Sequence, residues 1–495
     1  MEDGDLMSTF FGLNISRQGL QAQQKALEVT AHNVANANTP GYSRQVARMV
    51  ATTPLPFPSG EGMLGSGVKV AEIARIRDEF LDMQIRKEKQ TLGRWDASLP
   101  VLEQVERVFM EPTATGFNAV VTKFFDSWQE LSLNPEGTPV RAALVENANA
   151  LVNSVKHVNE QLKTIRSQID LNVSLKVTEV NSLATQIKDL NTQITTLVAM
   201  NSTPGDLLDR RDLLVDRLAE LIEFTPLQTP QGAVNILIGG RALVDGRSSH
   251  KLEIKPSAGI VDGWVASPQI VWERDGREVN ICNGEIAGLK DVRDINLKDY
   301  LQSFESLAWG MINAVNAAHA QGMDIYGAQG NNFFSGTQLE NLAVSSAIKE
   351  DSGKIAAALL PADWLDPGVP NPGDNRNALH IAQLRNLAMV VDTGAGLQSR
   401  LRLPENGEVG FTTFENYYRD MITRLGVDTQ ASNRLAENQL SLINAMQTRK
   451  ESISGVSLDE ELANMIQFQL AYQASAKIIS TYDEILDTVI NRMLK

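Results

Sequence analysis

The chain has one cysteine, few aromatic residues, a deficit of basic residues and no long hydrophobic run. The single Cys282 excludes an internal disulfide framework and a cysteine-rich metal site. Lys and Arg total 45 against 60 Asp and Glu, and the resulting net charge of −15 disfavours binding to nucleic acid. No apolar run approaches the roughly 18 residues of a membrane span, so we expect no membrane insertion. The first residues also lack the features of a cleavable secretory signal.

Candidate catalytic and cofactor residues are sparse. The five histidines lack a second His or Cys at ligand spacing, which argues against a zinc site. Residues 60–65 match a dinucleotide-binding pattern in letters, but they follow a proline-rich segment and not a strand, so they are interpreted as a loop. His319 with Asp324 is interpreted as a helix end and turn, and Cys282 as a small buried residue. We therefore predict no enzyme activity, no cofactor and no metal.

The N-terminal region predicts a long helix over residues 8–37. Leu13, Leu20, Leu27 and Val34 recur every seven residues, which is typical of the seam of a coiled coil or helix bundle. The opposite face is rich in Gln and Asn and poor in charge, which favours packing against other polar surfaces. Pro40 and the following glycine end the helix.

The C-terminal region, residues 457–494, has the same character. Between Leu462 and Tyr482 the only charged residue is Lys477. Apolar residues recur at intervals of three and four and include Leu458, Leu462, Met465, Tyr472, Ile479, Leu486 and Val489. The stripe predicts a second long helix. An ordinary intramolecular core is the alternative to an interaction surface.

The middle of the chain predicts a helical body with a β-rich insertion. With 495 residues we expect two to four domains. Apolar residues at three-four spacing extend from Pro139 to Ala199, which would make a helix about 90 Å long. Residues 226–295 contain strand-like runs instead, including one at Glu278–Cys282 after an Asp-Gly turn.

Residues 31–45, AHNVANANTPGYSRQ, are similar to the N-terminal motif of bacterial flagellar rod, hook and hook-associated proteins, the axial protein family. His32 stands where the family more often has Asn. Residues 455–461 and 470–477 are similar to the final helix of the same family. Four internal blocks, at 206–212, 284–294, 316–334 and 373–379, resemble the hook-associated members that connect the hook to the filament. Family members usually start near Met7, so the first six residues are interpreted as an extension.

The resemblance implies a mainly α fold with a small β insertion, in which the N- and C-terminal helices pair as a coiled coil. The expected domains are 1–76 plus 455–495 for polymerisation, 77–225 plus 296–454 as a helical bundle, and 226–295 as an outer β-rich domain. The expected polymerisation residues are the two apolar stripes named above together with the motif residues Asn33, Asn36, Thr39, Gly41 and Tyr42.

The same resemblance implies a structural protein of the bacterial flagellum, located at the junction of hook and filament. Its expected partners are its own copies in a ring of about eleven, the hook protein, a second junction protein and a cytoplasmic chaperone that binds the C-terminal region. It would leave the cell through the flagellar type III apparatus. The alternatives are another axial protein of the hook or rod, and a cytoplasmic coiled-coil scaffold.

Overall fold

The computed structural model describes residues 4–56, 63–109, 116–257, 260–261, 264–359, 372–393, 399–405 and 408–488. Helices dominate these residues, and short antiparallel strand pairs connect them. The helices are α1 (Gly4–Asn36), α2 (Glu79–Phe109), α3 (Phe117–Leu133), α4 (Thr138–Ala199), α5 (Gly205–Leu221), α6 (Glu285–Asp291), α7 (Leu297–Ala320), α8 (Ser346–Glu350), α9 (Arg376–Gln383), α10 (Phe414–Ser454) and α11 (Leu458–Asp487).

The strands form pairs, apart from one sheet of four strands in the order β5-β6-β7-β8. The pairs are β1 with β4, β2 with β3, β9 with β12, β10 with β11, β13 with β16, β14 with β15, and β17 with β18. Their bounds are β1 (Gln45–Ala51), β2 (Leu55–Pro56), β3 (Met63–Leu64), β4 (Val68–Arg75), β5 (Thr225–Gln228), β6 (Val234–Ile238), β7 (Arg241–Asp245), β8 (Ser248–Ser249), β9 (Leu252–Lys255), β10 (Ile260–Val261), β11 (Trp264–Val265), β12 (Gln269–Trp272), β13 (Gly322–Met323), β14 (Phe334–Ser335), β15 (Ala343–Val344), β16 (Ala358–Leu359), β17 (Val390–Thr393) and β18 (Ser399–Arg402).

The 62-residue helix α4 is the central element of the helical body. Pro139 fits its first turn, where the missing N–H costs nothing. Its apolar positions from Leu144 to Ile194 are buried and form a continuous row. The helices α2, α3, α5, α6 and α7 pack along this row. The predicted long helix is therefore confirmed as one element, with side chains on one face supplying most of the core of the body.

Asparagine side chains fasten extended chain to the helices. The carboxamide of Asn191 donates to the Val234 carbonyl at 2.8 Å and accepts from its N–H at 3.1 Å. Asn181 forms the same pair of bonds with Leu252 at 2.8 and 2.9 Å. A carboxamide offers one donor and one acceptor side by side, as a neighbouring strand would. These residues thus hold β6 and β9 against α4.

The region predicted as β-rich, 226–295, ends earlier than expected. The last part of this region is helical: α6 begins at Glu285 and continues through a π-helical turn at Val292–Asn296 directly into α7. The strand predicted at Glu278–Cys282 is reduced to one isolated bridge between Val271 and Glu278. Cys282 itself is exposed, so the prediction of a buried cysteine was wrong.

His319 is a fully buried member of an aromatic cluster. Its ring contacts Trp128 and Phe333 edge-on. Nε2 accepts a hydrogen bond from the Ala356 N–H at 2.9 Å, and Nδ1 lies against the Asn331 carbonyl. Burial lowers the pKa of His319 to about 4. The residue is a neutral structural histidine, as the sequence predicted.

Candidate functional site

The two terminal helices pair in antiparallel fashion. A Cβ atom at Gly12 would collide with the Tyr482 hydroxyl, and one at Gly19 would lie 3.4 Å from the Ser475 Oγ. Near the other end of α1, Asn33 bonds Glu461. The contacting residues on α11 have lower numbers as those on α1 have higher numbers, so the two helices run in opposite directions. The absence of side chains at the two glycines lets the helices approach closely.

The structure does not bury the leucine stripe that was predicted as the seam. Leu13, Leu20, Leu27 and Val34 are only partly buried. The buried positions of α1 carry mostly small side chains: Ser16, Ala22, Ala26, Val29, Thr30 and Asn33. Small residues dominate the contact because α1 packs on α11 and also on the β1–β4 hairpin.

On α11 the predicted stripe divides into two groups. Met465, Tyr472, Ile479 and Leu486 are partly buried. Leu458 and Leu462 are about half exposed, at 48% and 49%. Val489 lies outside the described residues. The pair therefore uses only part of the apolar surface that the sequence assigned to it.

Asn33 is the central polar residue where the two helices meet the chain that follows α1. Its Nδ2 donates to the Gln45 carbonyl at 2.8 Å and to Glu461 Oε2 at 2.9 Å. Its Oδ1 accepts from the Gln45 N–H at 3.0 Å and from the Tyr42 hydroxyl at 2.8 Å. Both Asn33 and Glu461 are buried, at 1% and 2% exposure. One carboxamide thus connects α1, β1 and α11.

The remaining motif residues shape the turn that returns the chain to Asn33. Asn36 Nδ2 donates to the His32 carbonyl at 3.0 Å, and Thr39 Oγ1 donates to Asn36 Oδ1 at 3.2 Å. Gly41 has φ of +79°, a conformation that favours glycine. Burial, with the nearby charge of Asp206, raises the pKa of Tyr42, whose hydroxyl therefore stays protonated as a donor. The motif is a helix stop that presents Tyr42 to Asn33.

An acidic face of α5 receives this turn and the end of β4. Asp209 Oδ2 accepts from the Ser43 N–H at 3.0 Å, and its Oδ1 lies 2.7 Å from Arg75 Nη1. Arg77 Nη1 donates to Asp212 at 2.7 Å. Burial alone would raise the pKa of Asp212, but Arg77 and Arg75 outweigh it and hold that pKa below its usual range. Asp212 is therefore charged, and both carboxylates are paired with arginines.

Ion pairs also connect this cluster to the chain entering and leaving the last two helices. Arg44 pairs with Glu461 at 2.7 Å and Glu460 at 2.8 Å, and its N–H donates to the Ser454 carbonyl at 3.0 Å. Lys450, near the end of α10, lies 2.8 Å from Asp82 on α2. We call this region, from Asn33 to Lys450, the terminal junction. It joins both terminal helices to the body through buried charges.

The terminal junction holds its carboxylates in hydrogen bonds and ion pairs. Every carboxylate described in it is held by a cation or an N–H donor. Among the described residues, no group of three or more His, Cys, Asp and Glu side chains could hold a metal ion. No described helix is both long and apolar enough to cross a membrane. The network of Arg75, Arg77, Asp209 and Asp212 was not predicted. Its only sequence signal is acidic spacing of three and four along α5.

Three family models match the chain. A model described as flagellar hook-associated protein FlgK helical domain matches residues 102–334. A flagella basal body rod protein model matches residues 13–42, and a flagellar basal body rod FlgEFG C-terminal model matches residues 451–493. The two rod models thus coincide with the paired helices and the Asn33 turn.

Whole-length relatives agree with these models. Flagellar hook-associated protein 1 of Bacillus subtilis is 32% identical, over 99% of both chains. The protein of the same name from Salmonella typhimurium is 25% identical over 97% of this chain and 99% of its own length. A solved structure, the flagellar hook junction protein FlgK from Burkholderia pseudomallei, superimposes with a TM-score of 0.61 at 16% identity. That match covers 75% of this chain and all of the other, and it supports the fold.

Proposed function

Because this chain belongs to the flagellar hook-associated protein 1 family, a structural component of the hook–filament junction, we propose that its paired terminal helices bind neighbouring subunits there. The relatives are structural proteins of the flagellum, which places this chain in the same organelle. The specific proposal concerns which surface does the binding and how the terminal junction supports it.

The observation that carries the proposal is an uncovered apolar row on α11. Six large apolar side chains between Leu458 and Ile485 are 44–61% exposed: Leu458, Leu462, Ile466, Leu470, Ile478 and Ile485. The first four follow each other at intervals of four residues, so each lies beside the next, and the row winds part of the way round α11 toward Ile478 and Ile485. A soluble monomer rarely exposes such a row, and the scarcity of charge between Leu462 and Tyr482 removes what would keep it solvated. Contacts with other subunits would cover it.

The terminal junction supports this role because it ties the helix pair to the body. Neighbouring subunits that pack on α11 exert force on α1 and α11, and Arg44, Asn33 and Asp209 pass that force to α5. We propose the domain division predicted above, with 1–76 and 455–495 as the polymerising part, 77–225 and 296–454 as the bundle, and a β-rich outer part that starts at 226. The helical start at Glu285 moves the end of that outer part to about residue 284.

The family resemblance also supports a ring of about eleven copies, since a repeated head-to-tail contact closes or propagates along an axis. The hook protein and the second junction protein are the proposed neighbours on either side. Export through the type III apparatus, guided by a chaperone at the C-terminal region, is the proposed route. The exposed row on α11 would need such protection before assembly. In dilute monomer we expect residues 7–45 and 455–495 to exchange amide hydrogens faster than the helical body does; protection as strong as that of α4 would contradict this.

A deletion strain tests the location. Loss of the gene is expected to leave complete hooks without filaments, with filament subunits in the medium. Missing or incomplete hooks would indicate a hook or rod protein instead, and normal flagella would exclude the junction role.

Complementation of that strain tests the surface. The double variant Ile466→Asn/Leu470→Asn is expected to fold and be exported but to restore few or no filaments. The matched control, Leu442→Asn, changes a leucine of α10 that is 42% exposed outside the terminal pair, and it is expected to restore filaments. Full restoration by the double variant would contradict the proposed use of α11.

A further inference from the structure

A groove far from the terminal junction lies along the exposed side of α7. One cavity of about 360 Å³ is lined by Gln302, Glu305, Trp309, Asn313 and Leu401, among others. A second cavity of about 810 Å³ adjoins it, because Glu305 and Trp309 line both. The second is also bounded by α4, by the chain on either side of β10–β11, and by residues 337–340. The two cavities are therefore neighbours that meet at Glu305 and Trp309, and we call the pair the groove.

Three side chains on one face of α7 define the chemistry of this groove. Gln302, Glu305 and Trp309 are separated by three and four residues, which places them on one face of the helix. The indole of Trp309 is only partly buried against the core. An aromatic face, a carboxylate and a carboxamide therefore line the same stretch of the groove.

Two of these groups lack partners within the described part of the chain. The Nε2 atom of Gln302 is buried and donates no hydrogen bond. A buried donor left without an acceptor costs about 1–3 kcal/mol. No described side chain forms a hydrogen bond or ion pair with Glu305. Burial raises the pKa of Glu305, and the negative charge of Glu340 raises it further. The nearby Lys163 lowers it, but the ammonium group of Lys163 is itself paired with Glu340.

The groups present specify what a ligand must offer. It needs an acceptor for Gln302, a positive charge for Glu305 and a group that packs on an indole face. A Lys or Arg head group satisfies the last two together, since cations bind aromatic faces with about 0.5–2 kcal/mol. A backbone carbonyl satisfies the first. We propose that the groove binds a polypeptide segment that presents a lysine or arginine to Glu305 and Trp309.

The chemistry of the first cavity, whose one charged residue among those described is Glu305, favours this occupant over a saccharide. A neutral sugar would offer hydroxyl groups to Gln302 but would leave the Glu305 carboxylate without a counter-charge. The distance from Gln302 to Asn313 is about 17 Å along the helix, which an extended segment of about five residues spans. The net charge of −15 also favours a basic partner segment. The proposal stands independently of the terminal helices.

The test uses the full-length protein labelled with 5-fluorotryptophan and observed by fluorine NMR. The chain has six tryptophans, and Trp309→Phe identifies the signal of Trp309. The probes are the capped peptide Gly-Gly-Arg-Gly-Gly and its citrulline counterpart, which has the same shape without the charge. We expect the Trp309 signal to move saturably with the arginine peptide, and the citrulline peptide to bind at least tenfold more weakly.

Variants assign the effect to the groove. Glu305→Gln is expected to weaken binding at least tenfold and Gln302→Ala severalfold, whereas Glu146→Gln, an exposed carboxylate of α4, changes nothing. Neither groove variant removes a bond, so both should fold; Gln302→Ala suffices if Glu305→Gln does not. The proposal is overturned by no movement of the signal up to about 10 mM peptide, where even a millimolar Kd gives saturation. Equal responses to both peptides, or a response to chitotetraose alone, also overturn it.

Discussion

At the scale of single residues, asparagine carboxamides form the pair of hydrogen bonds that the backbone of a neighbouring strand would otherwise form. Asn33, Asn181, Asn191 and Asn316 each sit on a helix and bond both the N–H and the carbonyl of one extended residue. The amide-rich composition of the sequence predicted packing against polar surfaces. It could not show that these surfaces are chain backbone, because composition does not tell which residue lies opposite.

Replacement of Asn33 is the sharpest test of this arrangement at the terminal junction. Asn33→Ala leaves the N–H and carbonyl of Gln45 without their partner and removes one of the two partners of the buried Glu461, so we expect a loss of about 2–4 kcal/mol in the stability of the helix pair. Hydrogen exchange of residues 30–50 and 455–465 measures this loss locally. Asn38→Ala, at an exposed position of the same turn, is the control. Equal protection in both variants would contradict the central role of Asn33.

Removal of one buried charge tests the pairing of α5 with β4. Asp212→Asn leaves Arg75 and Arg77 with one carboxylate fewer in a buried position, and such a change costs about 3–5 kcal/mol. Urea unfolding of the whole protein measures the change. Asp189→Asn, on the exposed face of α4, is expected to change stability by less than about 0.5 kcal/mol. A small effect of Asp212→Asn would mean that the pairs contribute little.

The pH dependence of stability tests the burial of His319. Its pKa is about 4 in the folded protein and 6.5 as the reference value, so the unfolded chain binds the proton more tightly. Stability from this group is therefore complete above pH 6.5 and falls as pH drops toward 4, by about 3 kcal/mol in total. Calorimetry at several pH values gives the slope of stability against pH for the wild type and for His319→Asn. The difference between the two slopes is the contribution of His319. An unchanged slope in His319→Asn would contradict it.

At the scale of secondary-structure elements, long periodic segments were predicted and short irregular ones were not. The predicted helices over 8–37 and 139–199 correspond closely to α1 and α4. The hairpin β17–β18 was missed, since four-residue strands carry too little periodicity to be recognised. The junction was also missed, because Arg75 and Asp209 are 134 residues apart in the sequence. Local patterns do not specify such long-range partners.

The seam of the terminal helices shows a second reason for the difference. A heptad pattern is recognised by its large apolar side chains, and it therefore predicted Leu13 and Leu20 as seam residues. The close contact in the structure depends on residues that lack side chains, Gly12 and Gly19, opposite Tyr482 and Ser475. Glycine carries no hydropathy signal, so the pattern did not include these two positions.

Gly12→Ala tests this close approach. A Cβ atom there would collide with the Tyr482 hydroxyl, so we expect faster hydrogen exchange along α1 and α11. Tyr482→Phe removes the nearest of the colliding atoms but keeps the ring carbon at 2.7 Å, so it should restore part of the protection. Gly426→Ala, in α10 with open space around it, should instead add about 0.5–1 kcal/mol of stability. Equal effects of both alanine variants would indicate that the helices are not in close contact.

At the scale of the whole molecule, the chain is arranged around one long helix with its two ends brought together. The body has a large core along α4, whereas the terminal pair has a small-residue contact and an exposed apolar row. Stability is therefore concentrated in the body, and the ends are completed by contacts with other subunits. Loss of either terminal helix would leave the other, together with Arg44 or Glu461, without its partner.

Disulfide trapping in assembled flagella tests this arrangement most directly. In a Cys282→Ser background, cysteines replace Gly19 and Ser475. A Cβ atom at position 19 would lie 3.4 Å from the Ser475 Oγ in the structure. Isolated hooks with attached junctions are oxidised and separated under non-reducing conditions. We predict an intramolecular bond in most copies, and none in the control pair Gly19→Cys/Ile485→Cys, which is out of register by about 15 Å. Covalent dimers between subunits, or no bond at all, would contradict the antiparallel pairing of the two ends within one chain.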